Sequence, residues 1–217
     1  MEPYLRLIGD IHGEQSVYLS HVADVPYTLQ LGDLDHDYSH LSALNADVHR
    51  FLPGNCDNYD LLRNDPHSLG DYGVWDVPDF GPIFYVRGAW SIDWRAKTGK
   101  DIIQGGVVVR KKDLWDDEEL PPKMCYKAYD AYVAASPKFV ATHTCPDSIF
   151  SLVSSVGKPS KTRTGTTLEA MLQVHRPKMW VFGHHHVAFD REIDGTRFVC
   201  VNAFRFLDLP KDFVNNL

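Results

Sequence analysis

The chain has 217 residues and a mass of 24.7 kDa, room for one α/β domain with its own core and too little for two large ones. Its 22 Lys and Arg against 29 Asp and Glu leave a formal charge of −7, which disfavours nonspecific binding to long nucleic acid or to acidic lipid. No stretch approaches the roughly 18 apolar residues of a membrane span, and the opening Met1-Glu2-Pro3-Tyr4-Leu5-Arg6 lacks the basic and apolar regions of an export signal. Together with four scattered cysteines, Cys56, Cys125, Cys145 and Cys200, this leads to an expectation of reduced thiols and a cytoplasmic location.

In chain order, short apolar runs end at polar, glycine-containing turns, as strands do where they leave a sheet. Tyr4–Ile8 precedes Gly9-Asp10, Tyr27–Leu31 precedes Gly32-Asp33, and Arg50–Leu52 precedes Pro53-Gly54-Asn55. Phe139–Ala141 precedes Thr142-His143, and Met179–Phe182 precedes Gly183-His184. Arg197–Val201 follows an Asp194-Gly195 turn as the return strand of a hairpin. Helical spacing predicts helices over Gln15–Ala23, Lys123–Ala135 and Thr167–His175, the last with Leu168, Met171 and Leu172 on one face. Trp90–Lys100 and Gly157–Gly165 read as surface loops. Alternating strands and helices predict an α/β sandwich, with no internal repeat and no domain boundary.

The chemistry-bearing residues fall at one kind of place. Asp10 and His12, Asp33, Asn55, His143, and His184 with His186 each follow a predicted strand, and the carboxyl ends of strands in open α/β sheets are where sites form. Alone, an Asp after Gly is a turn former or helix cap, and a lone His is a core residue. Together they offer too many ligands for one ion and about enough for two that share a carboxylate. The i, i+2 spacing of His184 and His186 on an extended backbone would turn His185 away.

The set Gly9-Asp10-Ile11-His12-Gly13, Gly32-Asp33, Gly54-Asn55-Cys56-Asp57, Thr142-His143 and Gly183-His184-His185-His186 resembles the calcineurin-like metallophosphoesterases in order and spacing over residues 5–187. The resemblance implies one domain over residues 1–217, a four-layer α/β sandwich of two mixed β-sheets flanked by helices. It implies that Asp10, His12 and His186 hold one divalent cation, Asn55, His143 and His184 a second, and that Asp33 bridges them. Two such ions about 3.5–4 Å apart lower the pKa of a shared water and stabilise in-line displacement at phosphorus. Mixed imidazole and carboxylate ligands suit Mn²⁺, the first expectation, and also Fe or Zn²⁺. The partner implied is a small phosphate ester, nucleotides included, and neither long nucleic acid nor membrane.

One position departs from the family pattern. Many phosphomonoesterases of the family carry His where this chain has Cys56, as the acid that protonates the leaving oxygen, and a thiol of ordinary pKa is a poor substitute. Cys56 is expected to fill space, and phosphodiesters are favoured over monoesters. A phosphomonoesterase that uses Asp57, His36 or water as its acid is the first rival, and a protein-binding scaffold of the same fold the second. Arg87-Gly88-Ala89-Trp90-Ser91-Ile92-Asp93-Trp94-Arg95 and Trp115-Asp116-Asp117-Glu118-Glu119 resemble a loop and turn of small bacterial and phage members. Arg95, with Asn55, is a candidate substrate contact, and Lys158, Lys161 and Arg163 are candidates for a basic lid. His36 and Asp37 lie close enough to Asp33 to be weighed for substrate contact, against the simpler reading of a solvated loop.

Overall fold

The computed structural model describes residues 2–34, 37–62, 64–91, 102–104, 107–109, 117–153 and 161–217. Arg95, His36 and Lys158 lie outside these residues. Twelve strands are described. The first three are β1 (Leu5–Ile8), β2 (Tyr27–Gln30) and β3 (His49–Phe51), and the hairpin β4 (Tyr72–Val77) and β5 (Gly81–Val86) follows. β6 (Ile102–Gln104) and β7 (Val107–Val109) pair with each other. Then come β8 (Phe139–Thr142), β9 (Met179–Phe182), β10 (Phe189–Ile193), β11 (Thr196–Cys200) and β12 (Phe206–Leu209). The helices are α1 (Gln15–Val22), α2 (Tyr59–Leu62), α3 (Pro122–Ala135), α4 (Asp147–Val153) and α5 (Arg163–Val174).

A four-stranded sheet runs β12-β1-β2-β3, and a six-stranded sheet runs β10-β11-β9-β8-β5-β4. Both are mixed. β1, β2 and β3 are parallel with β12 antiparallel at one edge, while β5, β8, β9 and β11 are parallel between the antiparallel β4 and β10. The period-2 alternation of strand side chains explains how the sheets stack. Leu5, Leu7, Leu29 and Leu31 of one sheet meet Ala141, Met179, Val181 and Val199 of the other in a shared core. Residues of opposite parity pack outward. Val140, Trp180, Phe182 and Phe198 lie under α3, α4 and α5, and Ile8 and Phe51 lie against Tyr18 and Val22 of α1. The result is helix, sheet, sheet, helix, as the motifs imply. All four cysteines are free.

The differences from the sequence reading have local causes. The last predicted helix begins at Arg163 rather than Thr167 because the Thr162 side chain accepts from Gly165 N (2.9 Å) and caps the first turn despite the glycine. Residues 163–165 are therefore helix, not loop. β4, β5, β12 and α4 carry no strong sequence signal. β5 contains Pro82, β4 is an edge strand with Val74 half exposed, and β12 pairs with β1 from some 200 residues away along the chain. The Asp194-Gly195 turn does close a hairpin. Ile193 faces Thr196 across it, and both turn residues have positive φ (49° and 80°).

Candidate metal centre

Five strand ends converge. β1 delivers Asp10 and His12, β2 delivers Asp33, β3 delivers Asn55, β8 delivers His143, and β9 delivers His184 and His186. The strands stop there because the chain turns sharply. His12, Asp33, His184 and His186 all have left-handed backbone, with φ of 46°, 58°, 65° and 50°, a conformation that is costly for residues with a Cβ. The extended backbone expected around His185 is therefore absent. His185 is turned aside by these bends, and its ring sits between Phe150 and Phe182 with Nε2 3.3 Å from Cys145 Sγ.

The candidate ligand atoms gather in overlapping groups. Asp10, His12 and His186 each offer an atom within 4.8 Å of the others, as do Asp33, His143 and His184. A third group, His12, Asp33 and Cys56, joins the first two and places Asp33 within reach of both sides. His186 Nε2 lies 2.8 Å from Asp10 Oδ2 and 2.9 Å from His12 Nε2. His143 Nε2 lies 3.0 Å from Asn55 Oδ1 and 3.3 Å from Asp33 Oδ1. Two ligand atoms each about 2.1 Å from one ion and at right angles stand about 3.0 Å apart, so the spacings of His186 from Asp10 and His12, and of His143 from Asn55 and Asp33, fit a divalent cation.

Close packing makes this convergence possible. A side chain on Gly32 would overlap the His143 ring, one on Gly54 would overlap Asp33, and one on Gly183 would approach Asp10 Oδ1 to 2.5 Å. Around the ligands, hydrogen bonds set their direction. His143 Nδ1 donates to Leu31 O (2.7 Å), which turns Nε2 toward Asn55 and Asp33 as the nitrogen that can take a cation once it gives up its proton. Asp10 Oδ1 accepts from His184 N (2.9 Å), and Asp33 Oδ1 accepts from Cys56 N (2.8 Å).

The electrostatics follow from burial and pairing. Burial opposes ionisation of Asp33, yet the adjacent His143 holds it well below the usual carboxylate range. Burial alone would depress His143, but Asp33 brings it up to about 9. Burial, with His185 and His143 beside it, pushes His184 far down, and burial takes His185 to about 4. The hydrogen bond to Asp10 raises His186. Asp33 and His143 are buried, whereas the side chains of His12 and His186 are 32% and 47% exposed.

One residue weighed as an acid has another task. Asp57 is fully buried and accepts from Asp33 N (2.9 Å), Gly54 N (2.7 Å) and the Tyr38 hydroxyl (3.1 Å). It ties the loops after β2 and β3 together and is in no position to protonate a leaving group. Its spacing within Gly54-Asn55-Cys56-Asp57 gave no sign of this. Asp37 is exposed and accepts from Ser39 N and Gln15, as an ordinary loop residue does. Lys161 and Arg163 are exposed on either side of the α5 cap.

Residues 5–188 match the profile of the calcineurin-like phosphoesterases. The chain belongs to that family. A search of curated proteins found no match. Among solved structures, the phosphopantetheinyl hydrolase of Mycobacterium tuberculosis superposes with a TM-score of 0.53 at 17% identity, over 93% of this chain and 90% of that one. A second solved chain gives 0.52 at 11% identity, over 96% and 95%. At such identities the likeness is one of calcineurin-like fold alone. Among the described residues no helix is long and apolar enough to cross a membrane.

Proposed function

We propose that this calcineurin-like phosphoesterase is a binuclear metal-dependent hydrolase that favours small phosphodiesters, nucleotide esters among them. The observation that carries the reading is Asp33. Its carboxylate belongs both to a group with His12 and to one with His143 and His184, the position of a ligand shared by two cations. Asp10, His12 and His186 would hold the first, and Asn55, His143 and His184 the second. Two divalent cations held there, Mn²⁺ by preference, supply positive charge that acidifies a shared water and offsets the phosphate oxygens.

The side chains set the rest. Asp10 and Asp33 contribute −2 against +4, so a site of net charge about +2 faces the substrate, and the neutral amide of Asn55 adds a ligand without lowering that charge. The His12–His186 side leaves an open approach for the ester. The position next to Asn55 offers no imidazole. Burial, with Asp33 and Asp57 nearby, pushes the Cys56 thiol well above its ordinary pKa, and Asp57 is committed to the loops. Among the described residues this side offers no suitable donor to a poor leaving group, which supports substrates with better leaving groups and a single negative charge.

The test is metal analysis of purified protein, with kcat/KM for bis(4-nitrophenyl) phosphate and 4-nitrophenyl phosphate under Mn²⁺. Two metals per chain and faster diester cleavage are expected. A single metal would overturn the shared-carboxylate reading, and faster monoester cleavage the preference.

A further inference from the structure

Asn55 differs in kind from the other candidate ligands. The two ends of its amide are alike in size and opposite in chemistry, since Oδ1 can hold a cation and Nδ2 cannot. Something must decide which end faces inward. Asn55 Oδ1 points to His143 (3.0 Å to Nε2), while Nδ2 lies 3.1 Å from Ser91 Oγ and 3.2 Å from Cys56 Sγ. Ser91 is in turn held by Glu118, with Ser91 Oγ donating to Oε2 (2.7 Å) and Ser91 N to Oε1 (3.2 Å). Both Ser91 and Glu118 are buried, at 5% and 1% exposure.

We infer that Glu118 and Ser91 are positioning residues that fix the Asn55 amide with its oxygen toward the cation; the inference rests on Asn55 being a metal ligand, as proposed above. A hydroxyl has one proton. Ser91 gives it to the Glu118 carboxylate, and so presents only lone pairs to Asn55, which must answer with an N–H. A reversed amide would set Oδ1 against those lone pairs and turn two N–H groups toward the cation. The relay is anchored at its far end, where Glu118 O accepts from Ala89 N (3.1 Å) and a side chain on Gly88 would run into the same carbonyl. This accounts for two sequence features that metal ligation leaves unexplained, Gly88-Ala89-Trp90-Ser91 and the first of the Glu118-Glu119 pair. Glu119 serves elsewhere, accepting from Thr164 N in the first turn of α5 (2.8 Å).

The decisive variant is Glu118→Gln, which changes one atom. Ser91 N still requires an oxygen, so the new NH₂ faces Ser91 Oγ and sends the hydroxyl proton toward Asn55. A packing role for Glu118 would not register that change. Protein stripped by chelator is titrated with Mn²⁺ by calorimetry, and its unfolding is followed by circular dichroism. The parent should bind two ions. Ser91→Ala and Glu118→Gln should each weaken one of them by about 10–100-fold, the usual effect of losing a hydrogen bond that orients a ligand. Asn55→Ala, which removes the ligand itself, should weaken the same one at least as much, and all three should leave the other unchanged. The double variant Asn55→Ala/Glu118→Gln should bind no more weakly than Asn55→Ala alone, because the relay acts only through the amide. Parent-like binding in Glu118→Gln and Ser91→Ala, beside a loss in Asn55→Ala, would overturn the relay and leave the ligand standing. Additive losses in the double variant would also overturn it. Parent-like binding in Asn55→Ala would overturn the ligand assignment, and the relay with it. Should Ser91→Ala fail to fold, Glu118→Gln and the double variant decide the matter.

Discussion

Three adjacent histidines at the end of β9 differ in what their rings touch, and their loss should differ accordingly. His184 and His186 each supply an atom to a ligand group, whereas His185 packs against Phe150 and Phe182. His185→Ala should cost roughly 1–3 kcal/mol of stability, as removal of a buried side chain does, and leave metal content at the parent value. His184→Ala or His186→Ala should lower metal content. Equal metal loss in all three, measured by elemental analysis beside denaturant midpoints, would contradict the placement of His185. Cys56 offers a second contrast. Cys56→His should raise monoester hydrolysis relative to diester hydrolysis, most for alkyl leaving groups, because an imidazole can give a proton and general acids are worth about 10²–10⁴-fold. Cys56→Ala should keep diester kcat/KM within a few-fold of the parent. A collapse there with metal content intact would show that the thiol takes part.

At the scale of elements, what was legible in the sequence was whatever repeats or carries chemistry. β9 was read with its bounds intact because Met179 and Val181 face one core while Trp180 and Phe182 face the other, an unbroken apolar run between Lys178 and Gly183. The candidate ligands were legible for a related reason, since Asp, Asn and His directly after such runs have few structural uses in common. Asp57, Ser91 and Glu118 were not. Apart from Gly54, three residues before Asp57, their partners lie far away in sequence, and nothing at positions 57, 91 or 118 says which groups will come to meet them. The start of α5 lies inside the run Gly157–Gly165, whose Gly, Lys, Thr and Ser content reads as a loop, because the Thr162 side chain caps the first turn there. That cap can be measured. Thr162→Ala removes the acceptor for Gly165 N and should cost about 1 kcal/mol, read as a lower denaturant midpoint with unchanged slope and unchanged metal stoichiometry. A neutral result would mean that Glu119, bonded to Thr164 N, holds the first turn unaided.

For the whole molecule, the ligands' origin has a thermodynamic consequence. Asp10, Asp33 and Asn55 leave the four-stranded sheet, and His143, His184 and His186 leave the six-stranded one. Each proposed ion therefore joins both sheets, and neither site survives if they part. Unfolding must then release the ions, and each contributes about 2.7 kcal/mol when free metal stands at 100 times its dissociation constant. Two such sites give about 5.4 kcal/mol, which for a chain of this size corresponds to roughly 10–20 °C in Tm at 2–4 °C per kcal/mol. Chelation should lower Tm by an amount in this range, and Tm should climb with the logarithm of free Mn²⁺. Asp33→Asn is the control. A neutral amide at the shared position weakens both sites at once, so the variant's Tm should respond little to Mn²⁺ and its hydrolytic activity should be lost. A Tm that rises as steeply with Mn²⁺ in Asp33→Asn as in the parent would mean that the ions bind without the shared carboxylate.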